Sequence, residues 1–298
     1  MLAPIVLFAY ARPDHVRRTV ESLSCNPGAS DHELIVFSDA ARTPDKQSAV
    51  DQVRGYLESI KGFRSVTIYH RPHNFGLAKS VISGVTQVLV EHERVIVVED
   101  DLLTSPHFLA YMNDALDRFA DDERVISIHG YVYPVQRTLP EAFFLPGADC
   151  WGWATWRRGW GIFSADGQAL LDELKRRDLL KEFDFNGTYG YSKMLEGQIK
   201  GLNNSWAVRW YASAFLAGKL TLYPGRSLVH NIGNDGSGTH CGDGSSLNAI
   251  LSATTINLSA LEVVPSAPGQ AAFESFFRKS QGTLVGRLGR RIRRLFSG

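Results

Sequence analysis

The sequence predicts an α/β fold built on a mainly parallel sheet with helices on both faces. Three observations carry that expectation. Apolar runs of strand length recur at 5–10 (IVLFAY), 33–38 (ELIVFS), 65–69 (SVTIY), 94–98 (RVIVV) and 125–128 (VISI). Each gap between them holds a helical period. The runs are also nearly continuous in apolar residues, as strands buried on both faces require.

Taken in order, the first run is followed by Val16, Val20 and Leu23 at helical spacing, and the second by Val50, Val53, Leu57 and Ile60. Leu77, Val81, Val85, Val88 and Leu89 form the third helical period. Phe108, Met112, Leu116 and Phe119 form the fourth, with Ser105 and Pro106 placed to start a helix at 106. In such sheets ligands bind outside the carboxyl ends of the strands.

Composition bounds the function. With 298 residues, 44% hydrophobic and 21% charged, the chain can bury one large core or a core plus a smaller lobe. Lys plus Arg number 32 against 31 Asp plus Glu, so no global field advertises a nucleic-acid partner. Cys25, Cys150 and Cys241 lie far apart without a CxxC, which argues against a disulfide framework or a structural zinc and fits a reducing compartment. The start, MLAPIVLFAY, lacks a basic leader, and no apolar run is long enough to span a bilayer. The expectation is a soluble chain, or one attached only at a membrane surface.

From 143 onward aromatics and glycine dominate, in FFLPGADCWGWATWRRGWGIF and then SWAVRWYASAFLAGKLTLYP. No clean linker cuts the chain. The expected organisation is one domain over 1–258, with a ligand-binding half at 1–130 and an aromatic-rich half at 131–258, followed by a tail at 259–298.

Residues 95–104, VIVVEDDLLT, set three acids at the end of a predicted strand. Their repulsion is relieved by a hard divalent cation, which could also hold a diphosphate. Because Ser105 and Pro106 already suit the start of the next helix, capping leaves the acids unexplained.

The stretches APIVLFAYARPDHVRRTVESL, SDA, VIVVEDDLLTSPHFLAYM and FFLPGADCWGWATW resemble the nucleotide-sugar-dependent glycosyltransferases of the GT-A fold. Among these they most resemble N-acetylglucosaminyltransferase I and its bacterial relatives in polysaccharide synthesis. The resemblance covers roughly 3–240. It implies transfer of a sugar, with inversion, from a nucleoside-diphosphate sugar to a saccharide or lipid-linked acceptor. It implies Asp101 as ligand to Mn²⁺ or Mg²⁺, Glu99 and Asp100 as contacts to the sugar nucleotide, Asp39 as reader of the nucleobase and Arg12 against the nucleotide. The chemistry of each residue is compatible: a carboxylate accepts from an imide N–H, and a guanidinium pairs with phosphate. Lys79, near a helix N-terminus, is a further phosphate or nucleotide candidate.

An inverting transfer needs a carboxylate to take the acceptor proton. Where the resembled family offers an acid, before a Trp-rich helix, this chain has Asn203 and Asn204. Glu196 is the preferred base, with Asp149 the alternative. Trp151 and Trp153 are candidates for stacking on a sugar, and core packing is the competing role. His230 or His240, flanking a glycine-rich loop, is expected to complete the metal site, with His230 preferred.

In the tail, Leu284, Leu288, Ile292, Leu295 and Phe296 share a helical face, and Arg287, Arg290, Arg291, Arg293 and Arg294 cover much of the rest. This pattern predicts an interfacial helix over 284–296 for an anionic membrane, with the protein held at its cytoplasmic face. No second basic patch supports nucleic acid. A non-catalytic nucleotide-sugar or carbohydrate-binding protein docked at a membrane is the alternative function.

Overall fold

The computed structural model describes residues 2–233, 247–259 and 261–280. Its first half follows the predicted alternation: β1 (Ile5–Ala9), α1 (Pro13–Ser24), β2 (Glu33–Ser38), α2 (Gln47–Leu57), β3 (Ser65–His70), α3 (Gly76–Glu91) and β4 (Arg94–Glu99). A short β5 (Leu102–Thr104) then leads to α4 (Phe108–Arg118) and β6 (Val125–His129). Helix α4 starts two residues later than expected. The Ser105 hydroxyl donates to the Ser252 carbonyl while accepting from the His107 N–H, so it holds a tertiary turn instead of capping at 106.

The second half extends the same sheet. It contributes β7 (Ala142–Pro146) and β8 (Trp153–Trp156), then α5 (Arg157–Trp160), α6 (Gly167–Arg176), α7 (Leu180–Phe183), α8 (Tyr191–Ile199) and α9 (Trp206–Leu216). Strands β9 (Leu220–Pro224) and β10 (Val229–Asn231) and helix α10 (Ala267–Ser280) complete the described elements. The main sheet has eight strands in the order β3-β2-β1-β4-β8-β6-β9-β7. Strand β8 inserts antiparallel between β4 and β6, and β7 closes the far edge antiparallel to β9. Strands β5 and β10 form a separate antiparallel ribbon.

Burial follows the apolar runs. Residues of β1 facing one side (Ile5, Leu7) pack with α1 and α4, and those facing the other (Val6, Phe8) pack with α3 and α9. Covering a sheet on both faces in this way removes hundreds of Å² of apolar surface from water, at about 25 cal/mol per Å². The expected boundary at 258 does not hold. Pro265 bridges to Phe144 of β7, and Phe273 and Phe277 of α10 are buried in the aromatic core of the second half, so residues 265–280 belong to the folded domain. The predicted helix at 284–296 lies outside the described residues.

Candidate active site

Parallel strands β1, β2 and β4 are neighbours, with Phe8 level with Glu99 and Ala9 level with Ser38. Their carboxyl ends therefore open onto one crevice, and the loops that follow deliver Arg12, Asp39 and the acidic triplet to it. Arg12 binds Asp100 through Nη2 and lies 3.0 Å from Asp101. Asp100 is nearly buried: its carboxylate accepts from the Tyr10 N–H at 3.0 Å, and its carbonyl accepts from the Thr19 hydroxyl at 2.9 Å. It fastens the loop after β1 to the end of β4, while Asp101 remains the more open carboxylate.

The electrostatics follow from that packing. Burial, then the neighbouring Asp101 and Asp100, push the Glu99 carboxyl up to about 8, and burial pushes Asp100 up to about 6 against the pull of Arg12. Arg12 holds its proton more firmly than a free guanidinium, since Asp100 and Asp101 outweigh the cost of burying it.

Asp39 is placed in the crevice but is occupied. Its carboxylate accepts from the backbone N–H groups of Ala40 (2.9 Å), Phe75 (2.8 Å) and Gly76 (2.9 Å) and from Asn74 Nδ2 (3.1 Å). It thus caps the entry to α3, satisfying N–H groups that a helix start leaves open. Lys79, one turn into α3, sits over the Phe75 ring at 4.2 Å and faces a cavity of about 600 Å³ that Asn204 and Arg209 also line.

The ribbon brings β10 to the acids. His230 is level with Leu103, and the Ile232 N–H donates to the Asp101 carbonyl at 2.8 Å. A Cβ on Gly233 would lie 2.1 Å from Asp101 Oδ2, so glycine permits this close approach. Among the described residues, His230 Nδ1 is buried without a hydrogen-bond partner, on the strand paired to β5 just beyond the acidic triplet. His240 lies outside the described residues.

Among the described residues, no group of three or more His, Cys, Asp or Glu converges as a metal cage. The mutual repulsion of the acids and the openness of Asp101 instead suit a hard cation that would take only one or two protein donors and leave its other positions to phosphate and water.

The remaining candidates divide. Trp153 is fully buried among Trp160, Trp206 and Trp210, with ring centroids 5.5–6.0 Å away, so it has no face left for a sugar and belongs to the core. Trp151 is half-buried, edge-on to Tyr131 at 4.7 Å. Glu196 lies in the last turn of α8, half-buried, and its carboxylate makes no hydrogen bond or ion pair among the described residues. The helix packs on α6, α7 and α9. Asn203, where an acid was sought, joins two backbone segments: it donates to the Met194 carbonyl and accepts from the Ser205 N–H.

Asp149, the alternative base, occupies the more telling position. It accepts from the Cys150 N–H at 2.8 Å and from the Tyr223 hydroxyl at 3.3 Å, and lies 3.7 Å from His129 Nδ1. Its neighbour, the Cys150 thiol, is pushed up by burial, then by the charges of Asp149, Glu99 and Asp101.

Residues 1–136, the half that carries Arg12, Asp39 and the acidic triplet, match the model of the GNT-I family. No curated protein matches the chain significantly. Among solved structures, the chain is similar to the mannosyltransferase PcManGT from Pyrobaculum calidifontis in complex with GDP-Man and Mn²⁺, at 18% identity over 44% of this chain and 36% of that one, with a TM-score of 0.32. It is also similar to S. aureus TarS 1–349, at 14% identity over 78% of this chain and 60% of that one, with a TM-score of 0.43. The chain therefore spans between about a third and three fifths of these two structures. Likenesses this distant carry no argument about chemistry, which rests on the site itself.

Proposed function

We propose that the chain moves a sugar from a nucleoside-diphosphate donor to a saccharide or lipid-linked acceptor, with inversion at the anomeric carbon and dependence on Mn²⁺ or Mg²⁺. The observation that carries the reading is the acidic edge: three carboxylates at the end of β4, with only Arg12 as counter-cation in the described contacts of Asp100 and Asp101. Asp101 is the residue that would hold the metal, with His230 as a second donor. When bound, the metal would neutralise the diphosphate and stabilise its charge as it departs. Arg12 pairs with a phosphate oxygen or orients Asp100, Glu99 lies toward the sugar, and Asp39 and Asn74 shape the loop against which the base packs. Trp151 borders the acceptor side.

The basic segment 284–296 docks the enzyme on an anionic membrane, on the strength of its five arginines within eight residues and the leucines, isoleucine and phenylalanine interleaved with them in the sequence. No helix among the described residues is long and apolar enough to cross a membrane. Calorimetric titration of UDP, GDP and dTDP with and without Mn²⁺, followed by turnover with the matching sugar nucleotides, tests the reading. Nucleotide binding without turnover against any acceptor would favour a non-catalytic binding protein.

A further inference from the structure

The structure assigns the acceptor site to an aromatic basin around Asp149, and we infer that Asp149, not Glu196, is the general base; the inference rests on the transferase reading above. The basin is built by half-buried rings on three segments. Tyr133 follows β6, Trp151 precedes β8, and Tyr189 and Tyr191 enter α8, with the buried Tyr131 and Tyr223 as its floor. Trp151 meets Tyr131 at 4.7 Å, and Tyr189 meets Tyr191 at 4.4 Å. Partly exposed rings with hydroxyl edges suit the apolar faces and hydroxyl rims of a pyranose.

Asp149 is the carboxylate of this basin. Its side chain is 21% exposed, and its charge is felt by Tyr131, Tyr133, Tyr189, Tyr191 and Tyr223, whose phenols burial keeps protonated. His129 beneath it is fully buried. The Trp151 N–H donates to His129 Nε2 at 3.0 Å, so the neutral ring carries its proton on Nδ1, 3.7 Å from Asp149 Oδ2. A buried donor at this distance from a carboxylate is the kind of contact that tightens when substrate closes a site. Gly152, at φ +60°, lets the chain carrying Asp149 pass Val229, since a Cβ there would lie 2.6 Å from its Cγ2. This sets the chain carrying Asp149 against β10, the strand that holds His230.

The step balances. The acceptor O–H gives its proton to Asp149 as its oxygen forms the bond to the anomeric carbon. The bond from that carbon to the diphosphate oxygen breaks, and its electron pair leaves with the nucleoside diphosphate. Asp149 later releases the proton to water. Glu196, five residues beyond Tyr191 on α8, takes no part.

The test measures nucleotide release from a panel of UDP-, GDP- and dTDP-sugars with p-nitrophenyl glycosides as acceptors, for wild type, Asp149→Asn and Glu196→Gln. Asp149→Asn should lower kcat by about 100-fold or more, the scale of general-base catalysis, with donor Kd and thermal midpoint retained, and Glu196→Gln should stay within about threefold of wild type. Should asparagine at 149 unfold the protein, Asp149→Glu, which keeps the charge but displaces it, should lower kcat at least about tenfold with donor Kd held. A kcat near wild type in a folded Asp149 variant, or a loss of that size in Glu196→Gln, would overturn the assignment while leaving the transferase reading intact. A wild-type enzyme silent across the panel would overturn the transferase reading and the base with it.

Discussion

Arg12 Nη2 lies 3.0 Å from Asp101 Oδ2 while the same nitrogen binds Asp100, so one guanidinium bridges the two last acids of the triplet. Asp100 is committed to the fold through Tyr10 and Thr19, whereas the Asp101 side chain shows, among the described residues, the Arg12 contact alone. A cation arriving at this edge therefore meets Asp101 first. Asp101→Asn should abolish Mn²⁺-dependent nucleotide binding while the thermal midpoint stays close to wild type. Titration calorimetry checks it, and an unchanged Mn²⁺-dependent affinity would refute Asp101 as the ligand.

Arg12 has a structural duty of its own. Removing it leaves Asp100 buried without a counter-charge, and breaking a buried pair costs about 3–5 kcal/mol, less here because the guanidinium is 22% exposed. Arg12→Met should lower stability by about 2–3 kcal/mol in urea denaturation, and adding Asp100→Asn should recover part of it.

The acids also set a pH dependence. Glu99 is raised from 4.5 in the unfolded chain to about 8 in the fold. Between those values the folded state binds the proton more tightly, so stability is greatest at the acid end and declines as pH rises through the window. Glu99→Gln should flatten that decline between about pH 5 and 8, measured by denaturation at a series of pH values. Added Mn²⁺ should oppose the decline in wild type by favouring the ionised acids.

Asp39 bears on stability before it bears on ligands. Four donors converge on its carboxylate, three of them backbone N–H groups. Asp39→Ala should cost about 2–3 kcal/mol, the scale for removing a charged acceptor from buried donors, and proteolysis should first cut the loop at 71–76. Asp39→Asn, which keeps one acceptor oxygen, should cost less.

Truncation after Ser280 should abolish sedimentation with anionic liposomes and leave nucleotide affinity intact. The cut spares Phe273 and Phe277, which anchor α10 in the core. Each arginine near an anionic leaflet contributes about 1 kcal/mol, so raised salt should release the intact chain. Pelleting of the truncated protein, or equal binding to neutral liposomes, would refute the anchor.

The parallel half was legible because its strands are short apolar runs separated by clean helical periods, and Val16, Val20 and Leu23 pack as their spacing required. The second half was harder to read for a physical reason. Strand β8 is WATW, four residues buried on both sides, which periodicity cannot separate from a helix turn. Trp153 and Trp151 look equivalent in sequence, but only the fold shows that one joins a four-tryptophan core while the other borders a basin. The acidic edge was readable because its three charges end a strand. Asp149 was not, because its significance depends on His129 and Tyr223, 20 and 74 residues away in the chain.

The ribbon of β5 and β10 has only three pairs, with His230 flanked by Val229 and Asn231. Side chains alternate along a strand, so sliding β10 by a single residue would exchange the face of His230 for that of Asn231. Its register is pinned at one end by the bond from Ile232 to Asp101 and at the other by Ser105 donating to the Leu228 carbonyl. The small ribbon thus works as a vernier: Ser105→Pro, which removes that backbone N–H, would free β10 to misalign the histidine by a full notch and register at the acidic edge as lost affinity, with the main sheet untouched.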